Sequence, residues 1–196
     1  MSTDAGQNWR HVGLDGYSSV DEIAFSPNFS NDGVILAVGI RTGPINELLR
    51  SRDRGKTWNR VGPTFESSHR SFAFSPNYEN DHTIFTTFEN GELLVSRDQG
   101  DDWNRIVTPI DTGVYSLIAS PNYEIDKEIL IAASNGMWRY TDSGANWQNI
   151  SKGLFSLESG GVGQILAISS APLESRLLFV ITQGGLFRTP PLKLEQ

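Results

Sequence analysis

Residues 51–58 read SRDRGKTW, in which Gly, Lys and Thr follow two arginines and an Asp. The stretch has the composition of a phosphate-binding loop, but it occurs in three further copies: STDAGQNW (2–9), SRDQGDDW (96–103) and YTDSGANW (140–147). Asp101 and Ala145 replace Lys56 in two of these copies. A phosphate-binding loop needs that Lys as a countercharge, so the nucleotide-binding interpretation is excluded.

All four copies share an Asp, a Gly two residues later and a Trp three residues after the Gly. The Asp positions are 4, 53, 98 and 142, so successive copies begin 49, 45 and 44 residues apart. A period of this length is typical of solenoids, arrays and propellers, in which each repeat is one supersecondary unit. The stretch therefore indicates a repeat fold.

We call each eight-residue copy a box. A second family of stretches precedes the boxes at 51–58, 96–103 and 140–147, and a fourth member lies near the end of the chain. FAFSPNYENDHTIFTTF begins at Phe72, and its counterparts begin at Ile23, Leu117 and, in degenerate form, Leu166. Each contains two apolar strands of about five residues, and Ser-Pro-Asn with the acidic residues after it has the chemistry of a turn. A third strand (ELLVS, 92–96, in this unit) and a fourth strand (WNRI, 103–106) complete the unit.

Four short antiparallel strands repeated at this period predict an all-β fold, a β-propeller with four blades in a single domain, residues 1–196. The predicted blades are 16–61, 66–106, 111–150, and 161–189 together with 2–12. The last blade lacks a box, because Pro191 stands where its Asp belongs, whereas the chain opens with a box and the strand WRHV (9–12). We predict that this N-terminal strand closes the last blade and removes an open sheet edge. A rival arrangement pairs two chains, each with four blades, in one larger ring.

The pattern Ser-x-Asp-x-Gly-x-x-Trp resembles the Asp box, or BNR repeat, of sialidases, sortilin-type receptors, xyloglucan-active glycoside hydrolases and photosystem II assembly factors. The resemblance implies that the box is the turn between the third and fourth strands of a blade. Its Asp accepts backbone N–H groups, its Gly takes a positive φ, and its Trp covers the neighbouring strands. These structural roles fall on Asp4, Gly6, Trp9, Asp53, Gly55, Trp58, Asp98, Gly100, Trp103, Asp142, Gly144 and Trp147.

Charge and composition limit the partners. The chain carries a formal charge of −7, which argues against nucleic acid, and it has no Cys. It has no run of 18 apolar residues and no leader-like start, so we expect no membrane insertion. The compartment stays unknown: cytoplasmic, or part of an exported parent. The three histidines lie in different turns and strands, so we predict no metal site and no cofactor.

Candidate binding residues lie on the loops between strands two and three and at the start of each first strand. The long loop 39–47 and the Gly-rich segment 151–164 are candidate rims. Aligned first strands place Asp21, Arg70, Tyr115 and Gln164 in one ring, and Glu22, Ser71, Ser116 and Ile165 in the next. The predicted binding residues are Asp21, Glu22, Arg41, Glu47, Arg70, Glu89, Tyr115 and Gln164.

The function that this pattern favours is a non-catalytic binding or scaffold module for a protein, peptide or glycan. The alternative is a sialidase-like or xyloglucan-type glycoside hydrolase relative, or a fragment of a larger propeller enzyme. A glycosidase needs two facing carboxylates, and the sequence singles out no pair. No individual residue in the sequence is predicted to be catalytic. Both a monomer and a dimer that shares one ring remain open.

Overall fold

The computed structural model describes residues 2, 4–11, 13–43, 45–111, 113–154, 165–170, 178–182 and 185–188. The chain divides into two compact units, Met1–Glu66 and Ser67–Gln196, and each is described by itself. No helix in the described part of the chain is long and apolar enough to span a bilayer.

The first unit holds one antiparallel sheet of four strands in the order of the sequence. Its strands are β1 (Ser19–Phe25), β2 (Ile35–Ile40), β3 (Asn46–Ser51) and β4 (Asn59–Phe65), with a one-turn helix α1 (Phe29–Asp32) between β1 and β2.

The second unit holds two further four-stranded sheets and one sheet with three described strands, all antiparallel. The second sheet contains β5 (His69–Phe74), α2 (Tyr78–Asp81), β6 (Ile84–Phe88), β7 (Leu93–Ser96) and β8 (Asn104–Ile106). The third contains β9 (Val114–Ala119), α3 (Tyr123–Asp126), β10 (Glu128–Ala133), β11 (Gly136–Thr141) and β12 (Asn146–Asn149). The last contains β13 (Ile165–Ser170), β14 (Leu178–Thr182) and β15 (Gly185–Arg188). The predicted all-β class with units of short antiparallel strands is confirmed.

In the first three sheets the turn between the first and second strands contains a single helical turn, which the sequence pattern did not predict. In the second sheet the Ser75 hydroxyl donates to Asp81 at 2.6 Å, and the other oxygen of Asp81 accepts the Thr83 amide at 2.9 Å. The same two bonds recur in the first and third sheets: Asp32 accepts the Ser26 hydroxyl and the Val34 amide, and Asp126 accepts the Ser120 hydroxyl and the Glu128 amide. The Ser and Asp of the Ser-Pro-Asn stretches therefore fold this turn by bonding to each other and to the backbone.

The box turns repeat an equally regular set of hydrogen bonds. The Ser51 hydroxyl donates to Asp53 at 2.8 Å and accepts the Gly55 amide at 2.8 Å. Asp53 accepts both the amide and the hydroxyl of Thr57, at 2.9 and 2.6 Å. Because these bonds favour the carboxylate form, they lower the pKa of Asp53 to about 2, with the Thr57 hydroxyl making the largest contribution.

The fourth box departs from this pattern at its first residue. Tyr140 stands where the other boxes have Ser, and Asp142–Gly144 forms a short 3-10 helix. Asp142 accepts the Tyr123 hydroxyl at 3.0 Å and pairs with Arg97 at 2.5 Å. The positive φ of this turn lies at Ala145 and not at Gly144, where the resemblance implied it. Without the Ser hydroxyl, this Asp ties neighbouring elements together instead of folding its own turn.

Each sheet has two faces, which we name by the residues that they carry. In the third sheet the front face is the one that carries Leu117, and the back face is the one that carries Met137. In the other sheets each face is defined by the residues at the equivalent register positions. The back face of the second sheet, with Phe85 and Leu93, packs on the front face of the third. The back face of the third sheet packs in the same way on Ile168 and Val180, on the front face of the last. Sheets of the second unit thus stack back to front in sequence order.

The N-terminal strand predicted at 9–12 is not formed in the described residues. Residues 9–11 have no strand structure, and Val12 lies outside the described part. A strand needs a partner edge to satisfy its backbone groups. Here the segment runs instead into turns at Leu14 and Gly16, where φ is positive, and Trp9 is 76% exposed. The described part of the last sheet accordingly ends at β15, with three strands.

Candidate functional site

Every first strand carries a β-bulge at the same register position. In β1 the register with β2 shifts between Val20 and Glu22, so one residue on β1 has no counterpart. Equivalent shifts occur in the other three sheets. The bulged residues are Asp21, Arg70, Tyr115 and Leu166. Bulges re-aim a side chain and often lie beside functional sites.

Three of the four residues predicted for the first ring therefore occupy equivalent backbone positions. The fourth prediction, Gln164, lies outside the described residues, and the register gives its position to Leu166. The second ring changes likewise, since Ala167 and not Ile165 follows Glu22, Ser71 and Ser116 in register. The alignment slipped because the last unit has no Ser-Pro-Asn stretch to mark the end of its first strand.

In the second unit the structure brings together two of the predicted binding residues. Arg70, on the bulge of β5, lies 2.7 Å from the Glu89 carboxylate, measured from Nη2 to Oε2. Both side chains are partly exposed, and Tyr115 on the next bulge is half-buried. An ion pair that is open to water contributes about 0–1 kcal/mol to stability, so this pair is a weak structural bond.

The loop that carries Glu89 is held in place by backbone bonds. The Glu89 amide donates to the Ser68 carbonyl at 2.9 Å, and the Thr108 hydroxyl donates to the Gly91 carbonyl at 2.9 Å. Gly91 has a φ of +84°, and a Cβ built there would lie 2.0 Å from the Ile110 carbonyl oxygen. The Glu89 loop therefore touches both the loop before β5 and the loop before β9, and a Gly makes this close approach possible.

In the first unit Glu47 is buried and fully engaged. It accepts the Tyr17 hydroxyl at 2.7 Å and Arg41 Nε at 3.1 Å, and Arg60 lies 3.6 Å away. Burial alone would raise the pKa of Glu47, but the hydrogen bonds from Tyr17 and Arg41 outweigh burial and lower it. A general acid in a glycosidase needs a raised pKa. Glu47 is thus poorly suited to donate a proton.

The pairing of Glu47 with Arg60 also has a counterpart in the second sheet. Glu92 precedes Leu93 as Glu47 precedes Leu48, and Glu92 lies 3.8 Å from Arg105. Repetition in two sheets indicates a cross-strand scaffold contact. Sequence reasoning selected Arg41 and Glu47 but missed Tyr17, because a turn residue 30 positions away carries no local signal of this contact.

A cleft of about 440 Å³ lies on the front face of the first sheet. Its lining includes Arg10, His11, Tyr17, Ile23, Ala37 and Trp58. The Trp58 indole N–H is buried and has no acceptor in the described structure. Sequence reasoning assigned Trp58 only a packing role. Nothing in the sequence pattern indicates that the N-terminal segment borders a cleft.

Comparison with known proteins gives structural matches only. No family model matches the chain, and neither does any curated protein. The chain is similar in structure to YCF48 from Cyanidioschyzon merolae, with 22% identity and a TM-score of 0.64 over 94% of this chain and 57% of that one. It is similar to YCF48 bound to a D1 peptide, with 19% identity and a TM-score of 0.60 over 92% and 54%. A chain of a nidogen/laminin complex matches with 13% identity and a TM-score of 0.58 over 85% and 59%.

At these identities the likeness concerns the fold, which is that of β-propeller proteins. The chain spans between half and three-fifths of the length of these three structures.

Proposed function

We propose that the chain is a non-catalytic propeller module that binds a protein or peptide at the bulge end of its sheets. The bulge end is the end at which the first-strand bulges and the loops between second and third strands lie. The four sheets are, in this proposal, four Asp-box blades.

The observation that carries the proposal is the bulge that recurs at one register position in every sheet. The backbone distortion is constant, whereas the residue on it changes from Asp21 to Arg70 to Tyr115. A scaffold that keeps its geometry while its exposed side chains vary is typical of a binding surface. Packing alone would favour one residue type at this position.

Within the second unit the bulge end offers chemistry suited to a peptide. Arg70 and Glu89 supply a separable charge pair, and Tyr115 supplies an aromatic ring with a polar tip. The backbone bonds of the Glu89 loop hold these groups before a ligand arrives, which reduces the ordering cost of binding. Two of the similar structures are of complexes, one with a peptide and one of nidogen with laminin, which supports a peptide or protein ligand.

The glycosidase alternative gains no support from the geometry. Glu47, the most buried of the candidate carboxylates, already accepts hydrogen bonds from Tyr17 and Arg41, and these bonds lower its pKa. We therefore expect no turnover of fluorogenic glycosides. Turnover that Asp21→Asn or Glu47→Gln abolishes would replace the binding proposal with an enzymatic one.

The test is selection of binders from a displayed random-peptide library, followed by measurement of each peptide's affinity for variants of the protein. Arg70→Ala and Tyr115→Ala should each weaken the selected peptides at least tenfold. Lys56→Ala is the matched control, because Lys56 is exposed in the box at the opposite end of the first sheet. Peptides that lose affinity with Lys56→Ala but not with Arg70→Ala would refute the location, and a library that yields no binder would refute the function.

A further inference from the structure

Two segments of the second unit, residues 89–91 and 108–111, adjoin at the bulge end, and we call them together the acidic platform. The Thr108 hydroxyl, which donates to the Gly91 carbonyl at 2.9 Å, also lies 2.8 Å from the Ile110 carbonyl oxygen. One hydroxyl therefore ties the two segments to each other. Because these bonds exist before a ligand arrives, the platform has little ordering cost to meet on binding.

The acidic platform carries two exposed carboxylates, one on each segment. The Glu89 side chain is 48% exposed, and Asp111 is exposed as well. The two residues belong to adjoining backbone, because a Cβ built on Gly91 would lie 3.2 Å from the Asp111 amide nitrogen. Among the described residues the Glu89 carboxylate pairs with Arg70 alone, and Asp111 has no ion-pair partner. One guanidinium therefore stands against two carboxylates.

This charge balance favours a cationic group on the ligand over an anionic one. An anionic group would have to displace Glu89 from Arg70, and it would then lie near Asp111 in a chain whose formal charge is −7. A cationic group meets a carboxylate that has no partner, and the field of the whole chain attracts it. The charges around Arg70 therefore select the sign of the ligand group.

The aromatic residue of the bulge end adds to this chemistry. Tyr115 directly follows the residue whose amide donates to the Glu89 carbonyl, at 3.4 Å, so it adjoins the platform. The face of a tyrosine ring attracts a Lys ammonium or an Arg guanidinium. The first unit holds one of its own cations in this way, since Arg41 lies 5.1 Å over the Tyr17 ring and donates to Glu47 at 3.1 Å. The chain thus already uses a tyrosine and a carboxylate together to bind a guanidinium.

We propose that the ligand presents a Lys or Arg side chain to Glu89 and Asp111, with the Tyr115 ring beside it. This inference rests on the proposed function, because it names the group by which the bulge end recognises a protein or peptide. Arg70 restrains the Glu89 carboxylate on the platform. Arg70→Ala therefore weakens binding even though it removes a charge of the same sign as the ligand group.

The first test uses the peptides selected from the displayed library. Each Lys or Arg of a selected peptide is replaced in turn by norleucine or citrulline, which keep the shape of the side chain but remove its charge. We expect at least one replacement in each peptide to weaken binding about tenfold. Glu89→Gln and Asp111→Asn should each weaken the unmodified peptide about fivefold. Glu124→Gln is the matched control, because Glu124 is exposed on α3, at the opposite end of its sheet, and the substitution changes the net charge equally.

The second test exchanges the two charges. Glu89→Lys should lose the selected peptide, and it should bind the same peptide with its basic residue changed to Glu more tightly than the wild type does. A folding defect cannot produce such an exchange, and circular dichroism should show an unchanged fold because the Glu89 side chain is exposed. Glu124→Lys should leave both affinities unchanged. Arg70→Lys keeps a cation beside Glu89 and should retain most of the affinity that Arg70→Ala loses.

The outcomes separate this inference from the proposed function. Peptides that lose affinity with Tyr115→Ala but contain no Lys or Arg that binding requires would overturn the inference and leave the proposed function standing. The same follows if Glu124→Gln weakens binding as much as Glu89→Gln, because overall charge and not a contact would then be responsible. Acidic peptides that Arg70→Ala weakens would assign recognition to the guanidinium instead. A library that yields no binder would refute the proposed function and this inference with it.

Discussion

The loop between the second and third strands differs between the first sheet and the second. In the first sheet the segment Arg41–Ile45 is long, and Arg41 and Tyr17 bond to a buried Glu47. In the second sheet the loop is short, its Glu89 is exposed, and Gly91 packs against the Ile110 carbonyl. The first loop is thus held by side-chain charge and the second by backbone contact. Two copies of the same repeat therefore hold equivalent loops in place with different interactions.

The largest expected loss of stability comes from adding one methyl group to the loop of the second sheet. Gly91→Ala places a Cβ 2.0 Å from the Ile110 carbonyl oxygen at a φ of +84°, so strain and overpacking add. We expect a loss of about 3 kcal/mol in the free energy of unfolding, measured by urea denaturation. Gly43→Ala is the control, since Gly43 has a φ of +100° but no atom within 4 Å of the built Cβ. It should cost only about 1 kcal/mol. Equal losses would show that the close contact at Gly91 does not restrain the loop.

The strand plan of both sheets was predictable from the sequence, but their loops were not. Short apolar runs on either side of a Ser-Pro-Asn stretch reveal the strands, because run length and turn chemistry are local. The charged contacts of Glu47 depend on Tyr17, 30 residues away, and no local pattern reports such a distance. The sequence alignment correctly placed Asp21, Arg70 and Tyr115 at one shared position. In the last unit it selected Gln164 instead of Leu166, because no Ser-Pro-Asn stretch marks the end of that first strand.

The second expected effect tests the charge that holds the first loop. Glu47→Gln keeps the shape of the side chain but removes the charge that Arg41 and Arg60 face. Because the carboxylate is 6% exposed, we expect a loss of about 2 kcal/mol in the free energy of unfolding. Glu92→Gln is the matched control in the second sheet, where the pair with Arg105 is more open to water and should cost less than about 1 kcal/mol. If both substitutions cost the same, burial does not strengthen the first pair.

The smallest effect concerns a turn that the two sheets share. Hydrogen bonds, that from the Thr57 hydroxyl first, lower the pKa of Asp53 from 3.8 to about 2 in the folded chain. In the second sheet burial opposes the shift of Asp98, but bonds from Ser96 and Asp102 still lower its pKa. A group whose pKa is depressed by folding stabilises the protein above its unfolded pKa and loses that contribution as the pH falls through its folded pKa. The urea midpoint of the wild type should therefore fall between pH 4 and pH 2.

Asp53→Asn removes one of these titrations, so its midpoint should fall less steeply over the same pH range. The difference between the two curves should be largest at pH 4 and above, and should narrow toward pH 2. Thr57→Ala should give an intermediate slope, because it deletes the largest single cause of the lowered pKa while the backbone bond from residue 57 remains. Parallel curves for the wild type and Asp53→Asn would mean that the box carboxylate is not held by its turn. In that case the geometry of the turn would depend on the Ser51 hydroxyl, which is buried in the first sheet as Ser96 is in the second.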